Sequence, residues 1–424
     1  MKSKAILKII ILITLGILFA FSPIITVNLI FNAGNNKTSS EYDDYINLDN
    51  ENLKISATSG NIHIDGNSGW IAFKNDGNCT GEGTYSDPYI IENLVIDNGS
   101  IYIENSDVYF KIENCTQYYL GEFGMGIYLY RANNSLIIRN NCSWNYYGIV
   151  LADCSNNTIS GNIANNNAYG IFLWGDNNTI SGNTANDNYW GIMLMGSNNI
   201  ISGNNANDNI QRGIHLESGD NNAISGNTAN NNWFGIVLLD SSNDTILGNI
   251  ANNNTYYGIV LLGSSNDTIM GNTANKNTYY GIFLWGSNNN TITKNIINYN
   301  NNTGIVVDTS NGNNIYLNCF NNILNAIDNG SNNHWDNGIN GNYWADYTDL
   351  DIDGNGIGDV PYNITGSAGS QDNFPLMKCP ISVDSPEGGG IPFELIILIS
   401  VISGGAVIGV ATLLLIIRKR KRIE

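Results

Sequence analysis

The chain has 424 residues and a formal net charge of −19 at pH 7, yet charged residues make up only 13% of it. Much of its polarity comes instead from 76 Asn, beside 46 Gly and only 7 Pro. An acidic surface repels phosphate, so we expect no nucleic-acid partner. Gly lies far below the one third that collagen needs. The 42% of hydrophobic residues can form a core, which argues against a disordered acidic chain.

The N-terminal residues 1–33 have the pattern of a signal peptide or signal anchor. Lys2, Lys4 and Lys8 precede an uncharged apolar run from Ile9 to Phe31, which is the order of a basic region and a hydrophobic region in secretory signals. We expect residues 34–60 to be a linker. The bulk of the chain is therefore predicted to lie outside the cell, where disulfides and glycosylation of the many Asn-x-Ser/Thr sequons are permitted.

A repeat of 21 to 23 residues sets the predicted fold. Gly followed by Ile recurs at nine positions: Gly126, Gly148, Gly170, Gly191, Gly213, Gly235, Gly258, Gly281 and Gly304. This period fits either leucine-rich repeats or a parallel β-helix. The connecting segments are rich in Asn, Gly and Ser, which break helices and form turns. We therefore predict an all-β, right-handed parallel β-helix over residues 61–342.

Two kinds of column support stacked coils. The position after each Gly is Ile, and two residues further on it is Leu or, once, Val307, so strand alternation places both columns inside the coil. Asn recurs in two further columns, where it suits left-handed turns and can hydrogen-bond along the axis. The first column runs through Asn140, Asn162, Asn183, Asn204, Asn227, Asn249, Asn272, Asn295 and Asn318, and the second through Asn145, Asn167, Asn188, Asn209, Asn232, Asn254, Asn277 and Asn300.

Cys115 and Cys142 are a disulfide candidate. Both fit the small inward position that Ala occupies in later coils. Stacking at about 4.8 Å would bring them within the Cα separation of a disulfide. We predict that the two side chains are close, and the pattern leaves open whether the bond forms.

The outward columns of the repeated strand are unusually apolar, which points either to a ligand surface or to a cover formed by the tail or a loop. Their aromatic members could stack on sugars or on a protein partner. The candidate stacking residues are Tyr128, Tyr130, Phe172, Trp174, Phe283 and Trp285.

One coil interrupts these columns with Arg212, His215 and Glu217. His215 is expected to stack on Met193, with Met195 nearby. Imidazole and thioether ligands suit copper(I), so these three residues are the copper candidate. An isolated His beside buried Met residues is the simpler interpretation.

Two pairs of carboxylates fall in stacked turn positions, Asp187 with Asp208 and Asp244 with Asp267. Carboxyl groups about 5 Å apart suit a retaining glycosidase. Because Asn is the alternative residue in these columns, the pattern favours binding over catalysis, and no catalytic residue is assigned.

Residues 343–378 form an acidic segment that we expect to cap the end of the helix. Asp349, Asp351, Asp353 and Asn355 alternate around Gly354, as oxygen ligands do in calcium loops. The twelfth position is Val360 rather than Glu, so this is not an EF-hand, and Asp359 could close the site. The alternative is a solvated acidic turn.

The C-terminus has the pattern of a membrane anchor. After a linker at residues 379–393, residues 394–417 include an uncharged run long enough to span a bilayer. The basic tail 418–424 follows, and the positive-inside rule places it in the cytoplasm.

Three stretches carry a family resemblance: Gly83–Asn93, the repeat Gly-Ile-x-Leu…Asn-Asn-x-Ile, and the tail Gly341–Leu376 with its Gly-Asn-Tyr-Trp-Ala-Asp-Tyr start. Together they cover roughly residues 61–378 and resemble NosD-like right-handed β-helix proteins, of the periplasmic copper-binding or carbohydrate-binding and sugar-hydrolase type. The resemblance implies the fold and, by the family's name, copper handling.

We therefore expect a membrane-anchored, extracellular, non-catalytic module that binds carbohydrate or an envelope protein. The alternatives are a copper-handling protein of NosD type and a polysaccharide lyase or glycoside hydrolase. Calcium and copper are the two cofactors that the residues and the resemblance suggest.

Overall fold

The structure is a computed structural model that describes residues 56–118 and 124–381. Within these ranges the chain is a parallel β-solenoid of about 11 turns with coils of about 22 residues. The predicted all-β fold is thereby confirmed. Among the described residues no helix is long and apolar enough to cross a membrane. The predicted signal and transmembrane segments lie outside the described residues.

Two long parallel sheets form two sides of the solenoid. The twelve-stranded sheet runs through Ile62–Asp65, Ile101–Ser106, Met125–Ala132, Tyr147–Ala152, Tyr169–Trp174, Trp190–Met195, Arg212–Glu217, Phe234–Leu239, Tyr257–Leu262, Tyr280–Trp285, Thr303–Asn311 and Leu324–Ser331. The eleven-stranded sheet runs through Tyr89–Glu92, Phe110–Glu113, Ser135–Ile138, Thr158–Ser160, Thr179–Ser181, Ile200–Ser202, Ala223–Ser225, Thr245–Leu247, Thr268–Met270, Thr291–Thr293 and Asn314–Tyr316.

A third side consists of short strands and single bridges. Parallel bridges from Thr116 to Ile296 run along this side between two three-stranded sheets. These sheets comprise Ser56–Ser59, Leu94–Asp97 and Thr116–Tyr118, and Ile296–Asn298, Cys319–Asn321 and Tyr343–Trp344. One antiparallel pair, Tyr362–Asn363 with Gln371–Asp372, lies in the C-terminal segment.

The inward columns stack in register, as the alternation predicts. Ile149 pairs with Ile171 and Leu151 with Leu173 in the twelve-stranded sheet. All four side chains are fully buried. Each coil therefore buries its aliphatic face only by stacking on its neighbours, which is how solenoids are stabilised.

The Asn columns form hydrogen-bonded ladders. Asn183 is typical: its Nδ2 donates to Asn204 Oδ1 in the next coil and to Ile159 O in the previous one, both at 2.9 Å. Two of the ladders are the columns seen in the sequence. A third, absent from the sequence-based prediction, contains Asn157, Asn178, Asn199, Asn222, Asp244, Asp267, Asn290 and Asn313.

Aromatic side chains close both ends of the described solenoid. At the N-terminal end the helix α1 (Gly66–Asn75) buries Trp70, whose ring stacks on Tyr89 at 5.1 Å. At the other end Trp344 stacks between Phe320 and Tyr362. Aromatic rings therefore cover the hydrophobic core at both ends of the described solenoid.

A disulfide joins Cys319, in the last coil, to Cys379. The bond closes a loop that includes the whole segment 343–378. It therefore holds the C-terminal segment against the end of the solenoid. The sequence did not identify this pair.

Candidate functional site on the twelve-stranded sheet

The outward side of the twelve-stranded sheet carries most of the candidate residues. In strand Tyr169–Trp174, Ile171 and Leu173 point inward, so Phe172 and Trp174 point outward. Gly170 also faces the interior, where a Cβ would lie 2.6 Å from Gly191 O and 2.7 Å from Asn188 Nδ2. This close approach requires Gly, and it turns the preceding Tyr169 outward.

The residue before each Gly therefore adds a third outward column, whose direction could not be predicted from the sequence. We call these three columns the aromatic face. Its rings stack along the axis: Tyr147 on Tyr169 at 5.0 Å, and Tyr257 on Tyr280 at 4.9 Å. Tyr280 also contacts Phe283 at 5.6 Å, so the rings of the new column lean over the column that contains Phe283.

The aromatic face is partly covered by its own side chains. Val150 and Met193 are buried on the outward side, whereas Phe172 and Phe283 are half-buried. Trp174 is 55% exposed and is the most open of the predicted stacking residues. Tyr128, Tyr130 and Trp285 are half-buried. The aromatic face is therefore neither fully open nor fully covered: buried residues such as Val150 and Met193 lie beside the exposed Trp174.

One charged cluster lies within this face. His215 is fully buried, and its Nε2 lies 2.8 Å from Arg212 Nη1 and 3.2 Å from Glu217 Oε2. The Arg212 guanidinium lies 4.7 Å from the centre of the Trp190 ring. Glu217 is the more accessible end of the cluster, so a ligand on this face would meet its carboxylate.

The cluster has defined charges at neutral pH. Burial first, and then the Arg212 cation, lower the pKa of His215 to about 4, so the imidazole is neutral. Burial also lowers the pKa of Arg212 to about 10, which leaves it charged. The hydrogen bond from His215 lowers the pKa of Glu217. A cation and an anion thus flank a neutral imidazole.

The copper candidates lie on adjacent strands, as the repeat predicts. Met193 pairs with His215 and Met195 with Glu217 in the strand register. However, Arg212 Nη1 lies within 3.1 Å of both ring nitrogens of His215. The positive charge of this guanidinium would repel a metal cation bound to the imidazole. In the described part of the chain no group of three or more His, Cys, Asp or Glu is placed to hold a metal ion.

The acidic loop of the C-terminal segment binds its own backbone. Asp351 accepts hydrogen bonds from the N–H groups of Asn355 and Gly356, and Asp353 also accepts one from Asn355. Asp359 accepts the N–H of Ile352 at 2.6 Å. No contact ties Asp349 to this network in the described structure. The loop thus gives no support to the calcium prediction.

Cys115 and Cys142, the disulfide candidate, form no bond in this structure, where both residues are free, buried thiols. The bridge between Thr116 and Asn141 places Gln117, rather than Cys115, level with Cys142. The Cys142 thiol donates to Gln117 Oε1 at 3.1 Å. The two Cys do not occupy the same inward position, because the register differs by two residues from the one inferred.

The two carboxylate pairs differ in access. Asp187 and Asp208 are exposed in turns with left-handed backbone. Asp244 and Asp267 are buried members of the third ladder. The second pair is therefore not open to a substrate, contrary to the turn position inferred from the sequence.

The family comparison matches most of the chain. The family described as "Periplasmic copper-binding protein (NosD)" matches residues 29–204 and again residues 194–349. A search of the curated proteins found no significant match.

Two solved structures are similar to this chain at low sequence identity. The A-module of the mannuronan C-5 epimerase AlgE6 from Azotobacter vinelandii gives a TM-score of 0.51 at 15% identity, covering 67% of this chain and 89% of that one. PfbA, a surface adhesin of Streptococcus pneumoniae, gives 0.42 at 13% identity, with 58% and 78% covered. The first likeness supports the β-solenoid fold, and neither identifies an activity.

Proposed function

This chain belongs to the NosD family, and from that premise we propose that it is a membrane-anchored, extracellular protein that binds carbohydrate of the cell envelope on its aromatic face. It binds this ligand without changing it chemically. The observation that carries the proposal is the open indole of Trp174, which lies two residues from the half-buried Phe172 on the same outward side of strand Tyr169–Trp174. Flat aromatic surfaces of this kind pack against the C–H faces of sugar rings.

The polar cluster supplies the second requirement of a sugar site, which is a hydrogen-bonding group fixed in place. The Glu217 carboxylate is held by His215 at 3.2 Å and is partly accessible. It can accept hydrogen bonds from sugar hydroxyls. Because the chain carries a net charge of −19, a neutral glycan fits this surface better than a polyanionic one.

The test is binding of neutral oligosaccharides, first on a glycan array and then by calorimetry with the strongest ligand. We expect Trp174→Ala to weaken binding about tenfold, equivalent to about 1.4 kcal/mol. Trp144→Ala is the matched control, because Trp144 is 56% exposed but lies in the turn before strand Tyr147–Ala152. Absence of binding to every neutral glycan, or an equal loss in both variants, would contradict the proposal.

The extracellular location is supported by the Cys319–Cys379 disulfide, since such bonds persist in oxidising compartments. The segments predicted to target and anchor the chain lie outside the described residues. Treating intact cells with a protease tests the location: digestion of the solenoid from outside is expected. Full protection, with digestion only after lysis, would contradict it.

Copper handling is the second candidate, favoured by the family's description and by the register of Met193 with His215. Met193, Met195 and His215 would be the ligands, and Arg212 would have to move away from the imidazole. Copper titration under reducing conditions tests it. One tightly bound copper that His215→Ala removes would support this function, whereas unchanged affinity in the variant would dismiss the site.

A further inference from the structure

The third Asn ladder has a fixed pattern of donors and acceptors. At each Asn position Oδ1 accepts from the previous coil. Where the Nδ2 of an Asn in this ladder reaches a backbone carbonyl of the previous coil, it donates a hydrogen bond to that carbonyl. Asn199 Nδ2, for example, donates to Gly175 O at 3.0 Å, and Asn290 Nδ2 donates to Ser264 O at 3.1 Å. A donor is therefore the normal occupant of the second side-chain position in this ladder.

Asp244 and Asp267 occupy two consecutive steps of this ladder. Their Oδ1 atoms keep the role of the amide oxygen: Asp244 Oδ1 accepts the N–H of Asn222 at 2.7 Å, and Asp267 Oδ1 accepts the N–H of Asp244 at 2.8 Å. Both residues are only 1% exposed. Their Oδ2 atoms are buried and make no hydrogen bond within the described structure.

An ionised carboxylate does not suit this position. It would put an acceptor where the ladder needs a donor, and it would bury two negative charges one coil apart, about 4.8 Å. Protonation of Oδ2 removes the charge and restores the missing donor. Each carboxylic acid then has the hydrogen-bonding pattern of Asn.

We propose that Asp244 and Asp267 are held as neutral carboxylic acids in the folded chain under mildly acidic conditions, and that their stepwise ionisation makes the central coils sensitive to rising pH. The pair thus acts as a pH-sensitive element inside an otherwise neutral ladder. Its neighbours in the ladder, Asn222 and Asn290, do not titrate.

Burial and the neighbouring carboxylates favour the protonated forms of Asp244 and Asp267, and the hydrogen bonds to their Oδ1 atoms oppose this only in part. Burial is the main cause that raises the pKa of Asp244 to about 6 and that of Asp267 to about 8. The charge of Asp220 raises both pKa values, and that of Asp244 raises the pKa of Asp267 further, whereas hydrogen bonds from Asn222 lower the pKa of Asp244 and the one from the Asp244 N–H lowers that of Asp267. No Lys or Arg of the described residues acts on either carboxyl.

The direction of the pH effect follows from these values. In the unfolded chain an Asp titrates near pH 3.9, so between about pH 4 and pH 8 the folded state binds more protons. The stabilisation is complete below about pH 4. It is lost as the pH rises, first through the pKa of Asp244 and then through that of Asp267.

The experiment compares thermal unfolding of the wild type with that of a variant carrying Asp244→Asn and Asp267→Asn. Asn supplies the donor at every pH, so we expect the variant to melt about 5 °C higher than the wild type at about pH 9. At about pH 4 we expect the two to melt together. The control carries Asp187→Asn and Asp208→Asn, which neutralise an exposed pair in two other coils, and it should gain much less.

Infrared spectroscopy of the wild type provides a readout that needs no variant to fold. We expect a carbonyl stretch from buried protonated carboxyl groups at about pH 5 that disappears at about pH 9. Wild-type stability that does not fall over this range would overturn the proposal. Restoration of stability at about pH 9 by added Ca²⁺ would also overturn it, because a cation rather than a proton would then neutralise the pair.

Discussion

The two long sheets of the solenoid share the same coils but differ on their outward sides. Inside, Ile171 of one sheet and Ile180 of the other are both fully buried in stacked Ile columns. Outside, the twelve-stranded sheet presents Phe172 and Trp174, whereas the next strand of the same coil presents Thr179 and Ser181. The inward residues are constrained by stacking, while the outward residues are free to carry function.

The difference extends to how the outward residues interact. On the aromatic face, rings contact one another from coil to coil and cover part of the surface. On the other sheet the outward positions of the strands Thr158–Ser160 and Thr179–Ser181 carry short hydroxylated side chains, as in the Ser160–Ser181 contact at 3.2 Å. The aromatic face therefore combines stacked rings with a charged group that is fixed in place.

The largest expected effect comes from the inward Ile columns, and it tests whether the two sheets contribute equally to stability. Ile171→Ala and Ile180→Ala should each cost about 2–5 kcal/mol in free energy of unfolding, because each leaves a cavity in a closely packed column. Denaturant unfolding measures both. A cost in one sheet that exceeds the other by more than about 2 kcal/mol would show that the inward columns are not equivalent.

A smaller effect concerns the charged cluster of the aromatic face, formed by Arg212, His215 and Glu217. The pKa of His215 is lowered to about 4, below the value of about 6.5 in an unfolded chain. The resulting stability is present above about pH 6.5 and is lost as the pH falls towards 4, at a cost of up to about 3 kcal/mol. His215→Gln should remove this loss in thermal melts.

That measurement is best made in a chain that also carries Asp244→Asn and Asp267→Asn, because those carboxyls change stability in the opposite direction over the same range. His63→Gln is the control, since His63 is an exposed His on the same sheet. If His63→Gln removed the acid-side loss as fully as His215→Gln, the buried cluster would not be its source.

The smallest effect compares the outward sides directly. Met193 is buried under Tyr189 and Trp190, whereas Ile200, on the following strand, is 41% exposed. Met193→Ala should therefore cost about 1–2 kcal/mol, and Ile200→Ala less than about 0.5 kcal/mol. Equal costs in denaturant unfolding would show that Tyr189 and Trp190 do not cover Met193.

Much of the site was predictable, because strand alternation assigns Phe172 and Trp174 to the outward side. Two errors concerned where residues lie within the coils. Cys115 was assigned to the wrong register, because the coils before Gly148 keep the repeat less strictly. Asp244 and Asp267 were assigned to turns, although the recurring Asn two residues before each Ile of Thr-Ile-Ser, such as Asn178 before Ile180, marks a buried column.

The sequence by itself determined the solenoid. The recurring Gly-Ile step and the inward Ile and Leu columns leave few other ways to bury an aliphatic face. The tertiary structure decided which outward side chains are open, because exposure depends on rings from neighbouring coils. It also paired Cys319 with Cys379, and it placed two Asp carboxyls inside a ladder built for amides. Each of these facts depends on the exact register between coils, which a repeat of 21 to 23 residues does not specify on its own.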